Sequence, residues 1–260
     1  MSDSYEDLVP EVVRRIDAGE VPTDDGWRLK PLWDKHLRSL VGQPSHRPVG
    51  IYSPSQLGGC KRKLFYTRLG LPMLDNTSPK GRMRMGVGTA VHKSLFNPMM
   101  QDMFGLDEMS VELVVSLDSM HIRGEADAVL LHVETGKPRR ILDCKTINLN
   151  RFGRLKEPVI RKNGDVYPEE MKTYVWQLHA YMASANATLG TLFYICKDNS
   201  DTMEIPLVFS RPVWSQIENT IAEVEYAISV GKAPDYEPDA FFCPECNYWG
   251  HPCEPPGIFK

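Results

Sequence analysis

Asp143 and Lys145 stand two residues apart in RRILDCKTINLN, residues 139–150, a run that otherwise reads as a buried β-strand. Side chains alternate faces along a strand, so Asp143 and Lys145 point one way while Leu142, Cys144 and Thr146 point the other. Charges on an inner strand face are costly to bury unless a site uses them. Asp127 lies mid-way along the preceding strand-like run, and hairpin partners can set two carboxylates side by side. Two adjacent carboxylates repel each other, which suits a bound divalent cation. The Lys145 ammonium is then placed to stabilise developing negative charge or to orient a nucleophilic water.

A bare D-x-K triplet arises often by chance, and its companions give it specificity. His92 sits in GVGTAVH, within an upstream helical run. Gln177 and Tyr181, in QLHAY, are spaced i and i+4 and share one helical face.

The elements that must position these groups are legible as patterns. A helix is predicted over 83–104, strand-like runs over 110–117, 121–133 and 139–148, and a hairpin turn at ETGKP between the last two. An amphipathic helix is predicted over 168–186, two strands over 191–198 and 203–210, and a long final helix over 211–232. The order α-β-β-β-α-β predicts an α/β core with helices flanking a mixed sheet. SPSQLGGCKRKLFYTRLGLP starts like a capped helix, Ser53 preceding Pro54. Residues 1–50 read as a helical extension, with helical stretches in YEDLVPEVVRRIDAGE and PLWDKHLRSLVG around a turn at TDDG. The core is expected over 51–238 and a cysteine-rich segment over 239–260.

Composition is that of an ordinary globular protein, 42% hydrophobic and 25% charged. No apolar run approaches membrane-spanning length, and the N-terminus is too acidic and polar for a signal peptide. A cytoplasmic protein with no membrane partner is expected. The net charge of −4 gives no global sign of nucleic-acid binding, but its distribution does. From Arg139 to Lys162 eight basic residues face two acidic ones, a local patch able to track a phosphate backbone or simply a solvated loop.

With these residues in hand, the sequence resembles the RecB-like branch of the PD-(D/E)xK nucleases, which includes stand-alone phage and CRISPR-associated exonucleases. GTAVH, GEADA, DCKT and QLHAY stand in the order of that branch's signature blocks, within roughly residues 50–255. Ala126 departs from the nominal proline before the first acid. The resemblance implies a restriction-endonuclease-like core in which His92, Asp127, Asp143 and the backbone carbonyl of Cys144 hold Mn²⁺ or Mg²⁺. It further implies that Lys145 positions the attacking water, and that Gln177 and Tyr181 hold the DNA strand or the lysine. An imidazole among oxygen ligands tilts the preference towards Mn²⁺. Lys197 falls where the family often has a basic residue, a candidate phosphate contact or a solvated strand end.

Cys243, Cys246 and Cys253 form C-x2-C-x6-C in a tail poor in core-forming residues, a pattern that usually means a metal. His251 would complete a Cys3His zinc site. Cys60, in GGCKRKLFY, resembles the N-terminal cysteine block of the family's iron–sulfur members, which implies a [4Fe–4S] cluster bound by Cys60, Cys243, Cys246 and Cys253. Four thiolates and that context favour the cluster over zinc. Cys144 and Cys196 are assigned to the core. Arg62, Lys63, Arg151, Arg154 and Lys156 are candidate DNA contacts.

No phosphate-loop motif appears, so a fused helicase motor is not expected. The expected function is a metal-dependent DNA exonuclease acting on single strands or free ends, in recombination, repair or phage DNA processing. A recombination or CRISPR-adaptation protein partner, in a prokaryotic cell or phage-infected host, is compatible with that role. The alternatives are an endonuclease of the same fold and a non-catalytic, metal-stapled DNA-binding protein.

Overall fold

The computed structural model describes residues 29–39, 43–44, 48–105, 108–236, 243–250 and 252–253. The chain divides after Leu40 into two units. Of the first, the described part is helix α1, Leu29–Ser39, as PLWDKHLRSLVG predicts. The helix expected in YEDLVPEVVRRIDAGE, the turn at TDDG and His251 lie outside the described residues. Among the described residues no helix is long and apolar enough to cross a membrane.

The second unit is built on one five-stranded mixed sheet, β1 Met109–Leu117, β2 Ile122–Leu131, β3 Pro138–Ile147, β4 Leu189–Cys196 and β5 Thr202–Val208, in that spatial order. Only β3 and β4 run parallel; the other neighbours are antiparallel. Each strand lies where period-two alternation or a β-branched run predicts it. Two helical layers cover the sheet. On one face, α2 (Lys61–Arg68), α5 (Lys172–Ala185) and α6 (Arg211–Ser229) enclose the main core. On the other, α3 (Pro79–Val91) and α4 (Asn97–Phe104), joined by a π-helical turn over His92–Phe96, close a smaller core around Phe96, Met109 and Cys144. The helix predicted over 83–104 therefore starts earlier, at Pro79. There Ser78 is the N-cap, its hydroxyl accepting from the Gly81 amide at 3.1 Å.

Two expectations are corrected. Ser53 does not open an α-helix: Pro54–Gln56 makes a single 3₁₀ turn, and α2 begins only after Gly58 and Gly59. The turn packs on α5 so closely that a Cβ at Gly58 would lie 2.7 Å from the Thr173 Cα. Nor is α5 amphipathic. Val175 to Met182 are buried without interruption, because the helix is sandwiched between the sheet and α6.

Burying α5 all round traps His179, which is 0% exposed. Its Nε2 accepts from the Ser210 amide at 3.1 Å, so the Nδ1–H donates to the Val175 carbonyl at 2.7 Å. Burial lowers its pKa, against the smaller raising effect of the bond to Val175. The folded state therefore resists protonation that the unfolded chain accepts. Stability is expected to be complete above about pH 6.5 and to fall below it by up to about 1.4 kcal/mol per pH unit. Urea unfolding between pH 5 and 8 should show a shallower slope for His179→Gln.

Candidate functional site

The ladder between β2 and β3 stops short. Its last pairs run from Leu130↔Arg140 to Ala128↔Leu142, and beyond them β2 stays with β1 while β3 stays with β4. Asp127 and Asp143 would form the next pair, so they sit at the apex of a gap between two strands. The Asp127 carboxylate takes over where the ladder ends: its Oδ2 accepts from the Cys144 amide at 2.7 Å. N–H and C=O of one strand residue point to the same edge, so the Cys144 carbonyl faces this gap too.

Groups converge on the gap from both helical layers. From the α3 side, His92 opens the π turn and places Nδ1 3.3 Å from Asp127 Oδ1. Such turns recur at functional sites. Gly88, one helical turn earlier, leaves only 3.2 Å between a built Cβ and the Thr146 hydroxyl, so a small residue lets α3 lie close to β3. From the α5 side, Gln177 Oε1 accepts from Lys145 Nζ at 3.1 Å, and Gln177 Nε2 donates to the Tyr181 hydroxyl at 3.2 Å. Lys145 Nζ lies 2.9 Å and 2.8 Å from the two oxygens of Asp143. His92, Asp127, Asp143, Lys145, Gln177 and Tyr181 are thus brought together, and the i, i+4 pair on α5 reaches the lysine.

Asp143 is 1% exposed. Burial pushes its carboxyl above the ordinary range; the Lys145 ammonium opposes this and the Asp127 carboxylate adds to it. Burial also works against the Lys145 ammonium, but the Asp143 carboxylate outweighs it and keeps the lysine charged. The His92 imidazole is held above its usual value by its bond to Asp127, against burial. The Lys145 ammonium meets Asp143 Oδ2 at 2.8 Å, but this buried carboxylate oxygen makes no hydrogen bond of proper geometry. That oxygen, the Asp127 carboxylate, the His92 imidazole and the Cys144 carbonyl are the right donor types for a divalent cation. Among the described residues no three His, Cys, Asp or Glu side chains stand at ligand spacing; His92 pairs with Asp127 and Asp143 with Lys145.

One neighbour escaped sequence reasoning. The Lys145 ammonium lies 5.5 Å from the centroid of the Tyr174 ring. Tyr174 precedes Gln177 by three residues, and that helical spacing was the available signal.

The candidate DNA contacts fall in two places. Arg151, Arg154, Lys156 and Lys197 are exposed beyond the carboxyl ends of β3 and β4, where the Lys197 amide donates to the Ile147 carbonyl at 2.9 Å. The basic stretch is more than a loop: a single helical turn over Leu149–Phe152 is followed by a two-stranded pairing of Val159–Ile160 with Val166–Tyr167. Arg62 and Lys63 belong to α2, at the cysteines. The Arg62 Nε donates to the Pro234 carbonyl at 2.8 Å, its Nη1 lies 3.9 Å from Cys253 Sγ, and its guanidinium sits 5.6 Å from the Tyr236 ring centroid. Arg62 faces the cysteine-rich segment with these contacts.

Cys60, Cys243, Cys246 and Cys253 form no disulfide and lie within electrostatic reach around Cys60. Burial raises the pKa of Cys60, while the Lys63 and Arg62 amides at the start of α2 lower it. The tail does possess an anchor of its own. Tyr248 is fully buried, stacks 5.4 Å from Tyr66 and donates to the Thr67 hydroxyl at 3.2 Å. Asn247 adds a backbone and side-chain clasp on Leu74 at 3.1 and 2.7 Å. Cys144 and Cys196 are buried in the core, as expected.

No protein-family model matches the chain, and no curated protein does. Solved structures similar to it include SSO0001, at 17% identity over 86% of this chain and 95% of that one, with a TM-score of 0.42. They also include an alkaline exonuclease, LHK-Exo, from Laribacter hongkongensis. One of its crystal structures is 13% identical over 77% of this chain and 97% of that one, with a TM-score of 0.46. Its complex with dAMP is 15% identical over 70% and 92%, with a TM-score of 0.49.

Proposed function

We propose that the protein is a divalent-metal-dependent deoxyribonuclease of the PD-(D/E)xK type, digesting DNA from its ends and acting on single strands. The observation that carries this is the Asp143 carboxylate. It is buried opposite Asp127 where two strands part, an ammonium lies against it, and one oxygen lacks a hydrogen bond. Stability alone would not favour that arrangement, because apolar residues of similar volume often do as well as a buried ion pair.

In this assignment His92, Asp127, Asp143 and the Cys144 carbonyl hold the cation, with Mn²⁺ preferred for the imidazole. A bound cation supplies polarisation of the scissile phosphate and a lowered pKa for the attacking water. Lys145, gripped by Asp143 and Gln177 and lying over Tyr174, offers a fixed ammonium to that water or to the developing phosphate charge. Tyr181 holds Gln177 in place. Arg151, Arg154, Lys156 and Lys197 take backbone phosphates beyond the strand ends. The four thiols Cys60, Cys243, Cys246 and Cys253 hold a [4Fe–4S] cluster that ties the start of α2 to the tail.

The test is digestion of end-labelled linear and covalently closed circular single strands in Mn²⁺, Mg²⁺ and EDTA. Release of nucleotides from linear strands only, faster in Mn²⁺ and absent in EDTA, is the expected result. Cutting of circles would make the protein an endonuclease, and retention of DNA without any cleavage would make it a binding protein.

A further inference from the structure

The helix that delivers His92 has a large surface that the site leaves unused. Gly81 is the only buried residue of α3, and Met83, Met85 and Val87 are 45%, 50% and 41% exposed. Met83 and Val87, four residues apart, share one side of the helix with Lys80 and Arg84, while Met85 points away, and an exposed stripe of that kind is one a soluble protein normally covers or uses. The charge around them has one sign. From Asn76 to Gln101 the chain carries Lys80, Arg82, Arg84 and Lys93 and no Asp or Glu, although the whole molecule is acidic. Arg82 is committed to Asp75 at 2.9 Å, while Lys80, Arg84 and Lys93 are exposed.

Gly86, three residues after Met83, borders this stripe. A Cβ built there meets no atom within 4 Å, so packing does not require glycine. Glycine is the poorest helix former after proline. Helical stability is thus given up at one exposed position, and a flat strip open to a ligand accounts for it.

Cations flanking soft apolar side chains suit an unpaired nucleic-acid strand, whose phosphates take the charges and whose exposed base faces take the apolar groups. A duplex hides its base faces and offers Met83 and Val87 little. A second copy of this chain would bring like charges together. The strip also leads to the site, since α3 runs into His92 and its Gly88 lies against Thr146, the residue after Lys145. We infer that the exposed stripe of α3 is a single-strand track, with Lys80, Arg84 and Lys93 on the phosphates and Met83 and Val87 on the bases next to the scissile bond. The feeding role rests on the nuclease function proposed above; the binding role stands apart from it.

The experiment is fluorescence anisotropy of a labelled oligothymidine in EDTA, across a salt series, alongside cleavage kinetics in Mn²⁺ and thermal melting. Met83→Ser with Val87→Ser should weaken binding about tenfold, the loss of contact with roughly one base. The salt slope should stay the same, and KM should rise with kcat unchanged. Lys80→Gln with Arg84→Gln should flatten the slope of log K against log salt by about 1.4, two phosphate contacts' worth. Gly86→Gln should raise the melting temperature yet weaken binding, opposite signs that a purely structural role would not produce. If the parent binds and cuts while the Met83/Val87 double variant binds as tightly as the parent, the track is overturned and the nuclease reading stands. A parent that neither binds nor cuts overturns both. A patch that instead binds anionic phosphatidylserine vesicles, or holds two copies together until Met83 and Val87 are replaced, also overturns the track.

Discussion

Lys145→Met is expected to abolish cleavage and to destabilise the fold, and the two losses should be separable. Methionine keeps the length of the side chain and removes the charge, so the water or phosphate oxygen loses its ammonium. Removing one preorganised electrostatic group of this kind costs about 10²–10³ in rate. Asp143 is meanwhile left in a site where it is 1% exposed, with Asp127 pressing on it. Breaking a buried pair from one side costs about 3–5 kcal/mol. Asp143→Asn should cost less stability, because the lysine keeps the Gln177 carbonyl oxygen at 3.1 Å and is 18% exposed. Activity should nevertheless vanish with it. In the double variant Asp143→Asn/Lys145→Met no charge is stranded, so stability should recover above that of Lys145→Met while cleavage stays absent. Denaturant unfolding and single-strand digestion on the three variants decide this. A Lys145→Met protein that digests DNA at the parental rate would remove the catalytic assignment.

The second large effect is expected at the cysteines. Protein purified anaerobically should be brown, with broad visible absorbance and about four iron and four sulfide per chain for a [4Fe–4S] centre. Cys253→Ser or Cys60→Ser should bleach it and lower the melting temperature, since metal-binding free energy on the order of 10 kcal/mol becomes folding free energy where a site is structural. Tyr248 and Asn247 anchor the tail through contacts that use no cysteine, so the core should stay folded in either variant. A colourless protein with one zinc would favour the zinc alternative, and a metal-free protein indifferent to both substitutions would remove the cysteine site altogether.

Much of the site could be read in the sequence because its signals are local. Strand alternation set Asp143 and Lys145 on one face, and the i, i+4 spacing set Gln177 beside Tyr181, as the hydrogen bonds bear out. The hairpin between β2 and β3 was visible in its turn residues. What stayed hidden depends on neighbours distant in the chain. The closure of both flanks over α5 comes from the sheet and α6, so the pattern of its own residues misled. The turn at Pro54 replaces a helix because Thr173 leaves no room at Gly58. Nothing in the tail's own residues marks Tyr248 as an anchor, because its partners Tyr66 and Thr67 lie far upstream in the chain. The end of the β2–β3 ladder at Ala128 has no signature in either strand alone.

The parallel pairing of β3 with β4 also has a consequence for biogenesis. β3 cannot meet β4 until residues 148–188, with α5 among them, have been synthesised and have folded back across the sheet. Non-local closure of that kind is slow relative to hairpin formation. Asp143 and Lys145 therefore leave the ribosome well before Gln177 can reach them. A nascent chain carries the two charges without the scaffold that aims them, so whatever hydrolytic power the finished molecule has is withheld during synthesis.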